Sequence, residues 1–271
     1  MFLLTRIHKR SKKSLDWLRG WLRAHVTLRW LCWTKKPIRD LSRFVRRIPF
    51  IERREYSQNG EDGMIAAIFA KVGTTNRFFV EFGVEDGLQC NCRYLLKHKG
   101  WTGLLMDGGT WPEENGVEKE FVTAENIEAL FKKYNVPTEF DLLSIDIDGN
   151  DYWVWKAIKQ FRPRVVVIEY NANKGPDASV TIPYDPAFVW DASDYQGASL
   201  QALEKLGKEK GYTLIATDPC GVNAFFVIDA LVEGNFIPPP FAQIFHSPAY
   251  KGIPGKGHGA DTLGRPWVTI S

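Results

Sequence analysis

Between residues 78 and 168 the chain contains five short apolar runs, and each ends at or near a carboxylate or an amide. Runs of this length are typical of strands buried in a sheet, and the segments between them are long enough to form helices. This alternation predicts an α/β domain whose strands end at one edge, where ligands bind. The predicted strands are Phe78–Glu81, Gly100–Asp107, Phe121–Thr123, Phe140–Ile145 and Val165–Ile168.

After residue 168 the chain first loses its regular hydrophobic pattern and then regains it. Asn171–Tyr195 has no period and is rich in proline, aspartate and aromatic residues, which is typical of a loop that covers a functional edge. Ser199–Lys210 has helical spacing, and Tyr212–Ala216 and Val222–Ile228 are predicted to be two closing strands. We therefore expect a Rossmann-like α/β sheet of seven mostly parallel strands with a C-terminal antiparallel hairpin, followed by an irregular tail over 234–271.

The charge distribution sets residues 1–54 apart from the rest of the chain. They contain 16 Lys and Arg against 3 Asp and Glu, whereas the remainder contains 19 against 29. Trp17, Trp21, Trp30 and Trp33 are interleaved with the basic residues. Tryptophan and basic side chains both favour the interface of an anionic membrane. The sequence therefore predicts a basic helical arm that contacts an anionic membrane surface.

Other interpretations of the arm stay open at this stage. It could instead pack on the body of the protein or on a second copy of the chain in a homo-oligomer, and a nucleic-acid contact is the least favoured interpretation. Arginines interrupt its apolar runs well short of the roughly 20 residues of a membrane-spanning helix. The four cysteines fit no common zinc spacing and are expected to be reduced. We expect a cytoplasmic protein, peripheral at the inner membrane face, with its main domain over 55–233.

The loop after the first predicted strand is the candidate cofactor site. Gly83 and Gly87 let a ligand approach the backbone, because glycine has no Cβ. Glu85 stands where dinucleotide-binding loops have their second glycine, and its negative charge would repel a pyrophosphate. A cofactor without phosphates is therefore favoured. S-adenosylmethionine fits, with its adenosine at Asp107 and at the turn Ala124–Asn126.

Several motifs, taken in order, resemble the FkbM-type branch of the class I S-adenosylmethionine-dependent methyltransferases. The resemblance implies the class I fold, a cofactor loop, a carboxylate for the ribose and a turn beside the adenine. Many members have Glu-Pro after the second strand, where this chain has Asp107-Gly108-Gly109. The motifs are Tyr56–Asp62, Val80–Gly87, Gly100–Leu105, Asp141–Gly149 and Gly221–Val227. The cofactor residues that the resemblance implies are Ser57, Glu81, Gly83, Gly87, Asp107, Ala124, Glu125 and Asn126.

The most acidic cluster of the chain, residues 146–151, has three interpretations. A calcium-binding EF-hand loop is excluded, because glycine stands fourth rather than sixth. The pair Asp146-x-Asp148 would bind Mn²⁺ or Mg²⁺ and a sugar diphosphate in a metal-dependent glycosyltransferase. In the third interpretation Asp146 ends the fourth strand beside the methyl group of the cofactor, and Asp146 or Asp148 is the catalytic base. Asp151 is expected to cap the following helix.

A metal site is a further prediction for the same edge. Asp146 and Glu169 end neighbouring strands, and with the carbonyl oxygen of Asn171 they would bind a hard cation such as Mg²⁺ or Mn²⁺. This set is similar to the metal site of catechol and macrocin O-methyltransferases. The resemblance implies a cation that chelates vicinal hydroxyls of the acceptor and lowers their pKa. Tyr170 departs from it, since those enzymes have a second acid or amide there.

These observations together predict an S-adenosylmethionine-dependent O-methyltransferase. Its expected acceptor is a sugar hydroxyl of a small-molecule or lipid-linked glycan, an expectation that rests on the resemblance and on the basic arm. One alternative is a metal-dependent glycosyltransferase that uses Asp146 and Asp148. Another is a non-catalytic, membrane-associated protein with a methyltransferase fold, and the intact set of cofactor residues argues against it.

Overall fold

The computed structural model describes residues 55–249 and 253–271. The predicted basic arm, residues 1–54, lies outside the described residues. Within them, no helix is long and apolar enough to cross a membrane.

A single seven-stranded sheet forms the centre of the described domain. Its strand order is β3-β2-β1-β4-β5-β8-β7. The first five strands pair in parallel, whereas β8 is antiparallel to both of its neighbours. This confirms the predicted seven-stranded sheet with a C-terminal antiparallel hairpin. The strands are β1 (Phe78–Phe82), β2 (Thr102–Asp107), β3 (Val117–Lys119), β4 (Glu139–Ile145), β5 (Arg162–Glu169), β7 (Tyr212–Thr217) and β8 (Asn223–Ile228).

Helices connect the strands, and a two-stranded sheet joins the loop after β5 to the C-terminal tail. The small sheet pairs β6 (Val180–Thr181) with β9 (Val268–Thr269) in antiparallel fashion. Short 3₁₀ turns lie at Glu113–Asn115, Ala172–Lys174 and Asp229–Leu231. The helices are α1 (Glu61–Val72), α2 (Arg93–His98), α3 (Ile127–Lys133), α4 (Asp151–Ala157), α5 (Leu200–Lys210) and α6 (Phe241–Ile244).

The central strands are buried on both faces, as expected where helices cover a parallel sheet. Phe79 and Leu142 pack into the apolar cluster on one face, and Val80 and Leu143 pack into the cluster on the other. Burying each such side chain contributes roughly 1.5–3 kcal/mol. The carboxyl ends of β1, β4 and β5 are therefore held side by side by a packed core.

The predicted third strand is wrong by four residues. Residues 117–119 form β3, with Leu105 opposite Val117 and Asp107 opposite Lys119. This edge strand is three residues long and carries two charged side chains, so it gives no apolar run to detect. Residues 121–123 instead form no regular structure and lead into the turn 124–126 before α3, where Asn126 accepts a hydrogen bond from the Thr123 amide at 2.8 Å.

The loop after β5 is fastened to the tail, of which residues 234–249 and 253–271 are described. The amide of Asp194 donates to the carbonyl of Gly259 at 2.6 Å, and the Tyr195 hydroxyl donates to the carbonyl of Pro266 at 2.9 Å. The tail, expected to be irregular, contributes β9 to the small sheet and α6 to the end of β7. The tail thus holds this segment at β6 and again at residues 194–195.

Candidate active site

The loop after β1 lies directly against the end of β4, and glycine is required at the contact. Gly83 has φ +77°, and a Cβ added there would lie 1.4 Å from the backbone carbonyl oxygen of Asp146. The Asp146 amide in turn donates to the carbonyl of Phe82 at 3.2 Å. No side chain fits between the two segments, so the predicted cofactor loop and the acidic turn form one surface.

Gly87 has a steric requirement of a different kind. It has φ +69°, and a Cβ there would lie 2.7 Å from Cγ2 of Val117. The side of Gly87 on which a Cβ would stand therefore faces β3. Gly87 shapes the predicted cofactor loop, and its position against β3 explains the need for glycine without a ligand.

Glu81 is buried, and both of its carboxylate oxygens have protein partners. Oε1 accepts hydrogen bonds from the Asn91 amide at 2.8 Å and the Ser144 hydroxyl at 3.2 Å, and Oε2 accepts one from the Cys92 amide at 2.8 Å. Burial raises the pKa of Glu81, and the two amide donors oppose that shift. The carboxylate thus fastens the start of α2 to β1 and positions the predicted cofactor loop from behind.

Asp107 ends β2 beside that loop, as the ribose prediction requires. Its Oδ2 accepts a hydrogen bond from the Glu85 amide at 2.9 Å, and Glu85 has a positive φ of 50°. Its Oδ1 accepts hydrogen bonds from the Gly109 amide at 2.7 Å and the Trp111 indole at 2.9 Å. The carboxylate therefore joins the loop after β1 to the loop after β2.

The predicted adenine turn has a partner that the sequence did not reveal. The Tyr184 hydroxyl, from the loop after β6, hydrogen-bonds to the carboxylate of Glu125 and accepts from the amide of Ala124 at 3.2 Å. Asn126 uses its side chain within the turn itself, because its amide donates to the carbonyl of Phe121 at 2.8 Å. Tyr184 lies in a segment without periodicity, so only its aromatic type in a predicted lid hinted at a contact.

Ser57 lies in a tight arrangement before α1. Its amide donates to Oδ2 of Asp62 at 3.0 Å, and its hydroxyl accepts from the Asp62 amide at 3.1 Å. The neighbouring Glu61 is buried and accepts a hydrogen bond from the Asn223 side chain of β8 at 2.9 Å. These contacts fix residues 55–62 against the sheet, and the Ser57 hydroxyl accepts from an amide in the first turn of α1.

Three carboxylates meet at the ends of β4 and β5. One oxygen each from Asp146, Asp148 and Glu169 lies within 4.8 Å of the others. Asp148 reaches the cluster because its backbone is left-handed, with φ +54°. None of the three forms a salt bridge with a basic residue of the described ranges. Oxygen ligands at this spacing suit a hard divalent cation.

Asp151 builds the turn that brings Asp148 into place. Its two carboxylate oxygens accept hydrogen bonds from the amides of Ile147 and Gly149, both at 2.9 Å. Phe188 packs over the turn, and a Cβ at Gly149 would lie 2.4 Å from its ring. Asp151 is thus a structural acid of the turn. The expectation that it caps the helix is wrong, because Asn150 is the N-cap and the Asp151 carboxylate bonds amides that precede the helix.

The carboxylates of this turn have raised pKa values. Burial is the largest cause for Asp146 and Glu169, and repulsion by the neighbouring carboxylates adds to it. Burial, followed by repulsion from Asp151 and Glu85, raises the pKa of Asp148 to about 6. A bound cation would favour the ionised forms and relieve this repulsion.

A buried oxygen of Glu169 supports the same interpretation. Its Oε1 accepts a hydrogen bond from the Gln196 side chain at 3.3 Å, whereas Oε2 has no partner among the described residues. Gln196 Oε1 is also buried and without a described partner. Both residues line a cavity of about 50 Å³, whose lining also includes the tail residues Pro248, Ala249, Gly257 and His258. Buried oxygens without donors are rare, so they indicate that a cation or a donor group binds here.

The predicted metal ligand Asn171 uses its side chain for hydrogen bonds within its own loop. The Asn171 side-chain oxygen accepts two hydrogen bonds from Asn173, both at 3.1 Å. Its side-chain nitrogen donates to the carbonyls of Asp194 and Gln196, both at 2.8 Å. Asn171 therefore organises the loop that carries Gln196, a residue that sequence reasoning missed because it lies in a segment without a periodic pattern.

Comparisons with known proteins bear on what this edge does. A family model described as the methyltransferase FkbM domain matches residues 67–214, more than half of the chain. A search of curated proteins gave no match. The crystal structure of TnmH is similar at 14% identity and a TM-score of 0.34, covering 62% of this chain and 57% of that one. An O-methyltransferase family protein from Burkholderia thailandensis is similar at 13% identity and a TM-score of 0.34, covering 62% and 58%. The chain thus spans less than two thirds of either protein, and the family model is the finding that bears on function.

Proposed function

The chain belongs to the FkbM methyltransferase family, and from that premise we propose that it transfers a methyl group from S-adenosylmethionine to a hydroxyl oxygen. The observation that carries the proposal is the single surface made by Gly83, Asp107 and the acidic turn at the ends of neighbouring parallel strands. If Asp107 holds the ribose of S-adenosylmethionine, the sulfonium of this cofactor would lie towards Gly83 and Asp146. The uncompensated negative charge there favours a positively charged sulfonium.

The three carboxylates are proposed to hold a divalent cation beside the methyl group. Asp146, Asp148 and Glu169 offer oxygen ligands, and the unpartnered Oε2 of Glu169 fits such a role. When bound, the cation would lower the pKa of an acceptor hydroxyl and orient its oxygen. Gln196 would hold Glu169 in the orientation that directs Oε2 at the cation, because its side-chain nitrogen donates to Oε1.

The protein residues then have two tasks in the transfer. Methyl transfer is an in-line displacement, so rate enhancement comes mainly from aligning the acceptor oxygen with the methyl carbon and the sulfur. The second task is to accept the hydroxyl proton. Asp148 suits it, because its carboxylate lies at the same edge as Asp146 and Glu169, where the acceptor hydroxyl would be held.

The acceptor is proposed to be a polyhydroxylated molecule, with a glycan or a lipid-linked glycan as its source. The buried side-chain oxygen of Gln196, which has no described donor, supports this, since a hydroxyl of a sugar would supply one. The basic residues of 1–54 support delivery at an anionic membrane surface. The glycosyltransferase alternative for Asp146 and Asp148 is set aside, because the family model that matches is that of a methyltransferase.

Isothermal titration tests the cofactor and the cation separately. We expect S-adenosylhomocysteine to bind the wild-type protein, and UDP and GDP not to bind. Mn²⁺ should bind the wild type and should bind Asp146→Asn and Glu169→Gln at least tenfold more weakly. The exposed acids Asp177 and Glu139 provide matched controls, as Asp177→Asn and Glu139→Gln.

Two results would contradict the proposal. Binding of UDP or GDP without binding of S-adenosylhomocysteine would exclude the methyltransferase cofactor. Equal Mn²⁺ affinity in the wild type and in both cluster variants would remove the metal from the mechanism and leave Asp148 as a base without a cation.

A further inference from the structure

The carboxylate of Asp107 is nearly saturated by the protein itself. A carboxylate offers about four acceptor positions. Three are already filled in Asp107, by the amides of Glu85 and Gly109 and by the indole N–H of Trp111. The proposed ribose brings two hydroxyl donors to this carboxylate. One of the three present donors must therefore leave before both hydroxyls can bind.

Trp111 is the donor that can leave at the smallest cost. The other two donors are backbone amides, so their release would require the chain itself to move. Trp111 donates through a side chain that is 38% exposed. Its loop keeps an independent attachment, because the Lys119 side chain donates to the Thr110 hydroxyl at 2.6 Å. The indole can turn away while the loop stays in place.

The two glycines after Asp107 allow this aromatic side chain to fold back. A Cβ at Gly109 would lie 2.8 Å from the Trp111 indole nitrogen, so any other residue there would push the ring off the carboxylate. A Cβ at Gly108 would lie 2.9 Å from the ring of Phe121, which is 54% exposed. Two exposed aromatic rings thus lie on a Gly-Gly loop beside the proposed ribose acid. The Gly-Gly that stands here, where many family members have Glu-Pro, therefore makes room for both rings.

We propose that Trp111 is a displaceable latch of the ribose site. In the empty protein its indole N–H occupies Oδ1 of Asp107, and the ribose hydroxyls of the entering cofactor replace it. This inference rests on the proposed function, since it assumes a nucleoside cofactor at Asp107. The Trp111 indole N–H competes with the cofactor for Oδ1 of Asp107. A variant without this N–H should therefore bind the cofactor more tightly.

Replacement of the indole by a phenyl ring isolates the effect. Trp111→Phe keeps an aromatic ring and loses the N–H, so no donor competes with the ribose. We expect S-adenosylhomocysteine to bind this variant about three- to tenfold more tightly than the wild type, the range for one hydrogen bond to a partly exposed carboxylate. The matched control is Trp190→Phe, whose indole N–H donates to the carbonyl of Ser193 at 2.8 Å. It should leave the affinity unchanged.

The ligand series makes the test specific to the ribose. 5′-Methylthioadenosine keeps the diol and should gain affinity in Trp111→Phe as S-adenosylhomocysteine does, whereas adenine lacks it and should gain none. Unchanged or weaker binding of S-adenosylhomocysteine by Trp111→Phe would overturn the latch while leaving the proposed function intact. An equal gain for adenine would also overturn it. No binding of S-adenosylhomocysteine by the wild type would overturn the proposed function, and the latch with it.

Discussion

The two ends of β4 carry carboxylates with opposite surroundings. Asp141, near its start, is saturated with donors. The Arg164 side chain lies 2.7 Å from its Oδ1, and further hydrogen bonds come from the amides and hydroxyl of residues 75–77. Asp146, just past its end, faces Asp148 and Glu169 and has no salt bridge within the described ranges.

This difference separates an acid that stabilises the fold from acids available to a ligand. Donors around Asp141 match its charge, so it needs no other partner. The acids at the carboxyl end repel one another, and Glu169 has a buried oxygen without a described donor. Such an arrangement costs stability unless a cation or a ligand compensates it. The carboxyl edge is therefore where function is expected, on electrostatic grounds as well as on topology.

The largest effect on stability is expected at Asp141. Asp141→Ala leaves the largely covered Arg164 without its carboxylate and removes the acceptor for the amides of residues 75–77, so the free energy of unfolding should fall by about 3–5 kcal/mol. Urea denaturation followed by circular dichroism measures it, with Asp177→Ala as the exposed control. A loss below about 1 kcal/mol would mean that the saturated acid does not stabilise the fold.

Asp146→Asn should have the opposite effect, with little change in stability and a large loss of activity. It removes a repelled charge, so the free energy of unfolding should stay unchanged or rise by about 1 kcal/mol. Methyl transfer from S-adenosylmethionine should fall by at least about a hundredfold, because a ligand next to the reacting groups is lost. Destabilisation as large as that of Asp141→Ala would contradict the distinction between the two ends of the strand.

Gln196→Leu tests the support of the open carboxylate. It removes the donor to Glu169 Oε1, and we expect Mn²⁺ affinity to fall by about 10- to 100-fold while S-adenosylhomocysteine affinity stays unchanged. Titration of the exposed Gln160→Leu serves as the control. Loss of both affinities together would indicate a general disturbance of the loop rather than a role at the cation.

The smallest effect is a pH dependence from Asp148. Its pKa is about 6 in the native state against an ordinary 3.8, so between these values the native state holds a proton that the unfolded state has lost. Stability should therefore fall as the pH rises from about 4 to 6, by at most about 1.4 kcal/mol per pH unit and less for a partly exposed group. Asp148→Asn should lack this slope. Parallel stability profiles of the two proteins would show that Asp148 has an ordinary pKa.

The sequence predicted the regular parts of the site and missed its irregular parts, for physical reasons. Buried strands leave apolar runs, so the positions of Glu81, Asp107 and Asp146 at strand ends followed from the pattern. β3 was missed because a three-residue edge strand needs no apolar run. Gln196 and Tyr184 were missed because their loop is ordered by long-range hydrogen bonds, which leave no local signal.

Residue type alone also failed to assign the roles of Asn171 and Asp148. Asn171 has the right chemistry for a metal ligand, but its oxygen is used by Asn173. Asp148 lies in a turn, and its direction depends on a left-handed backbone conformation that the sequence does not determine for an aspartate. Both differences come from backbone geometry at one turn and one loop, where strand periodicity no longer applies.

The most direct test of the central claim is anomalous diffraction from crystals of the full chain grown with Mn²⁺ and S-adenosylhomocysteine. The account predicts one strong manganese peak coordinated by Asp146, Asp148 and Glu169, with S-adenosylhomocysteine at Gly83 and Asp107, and no peak at Asp141. An ordered S-adenosylhomocysteine with no manganese at the three carboxylates, or manganese bound at Asp141, would contradict it.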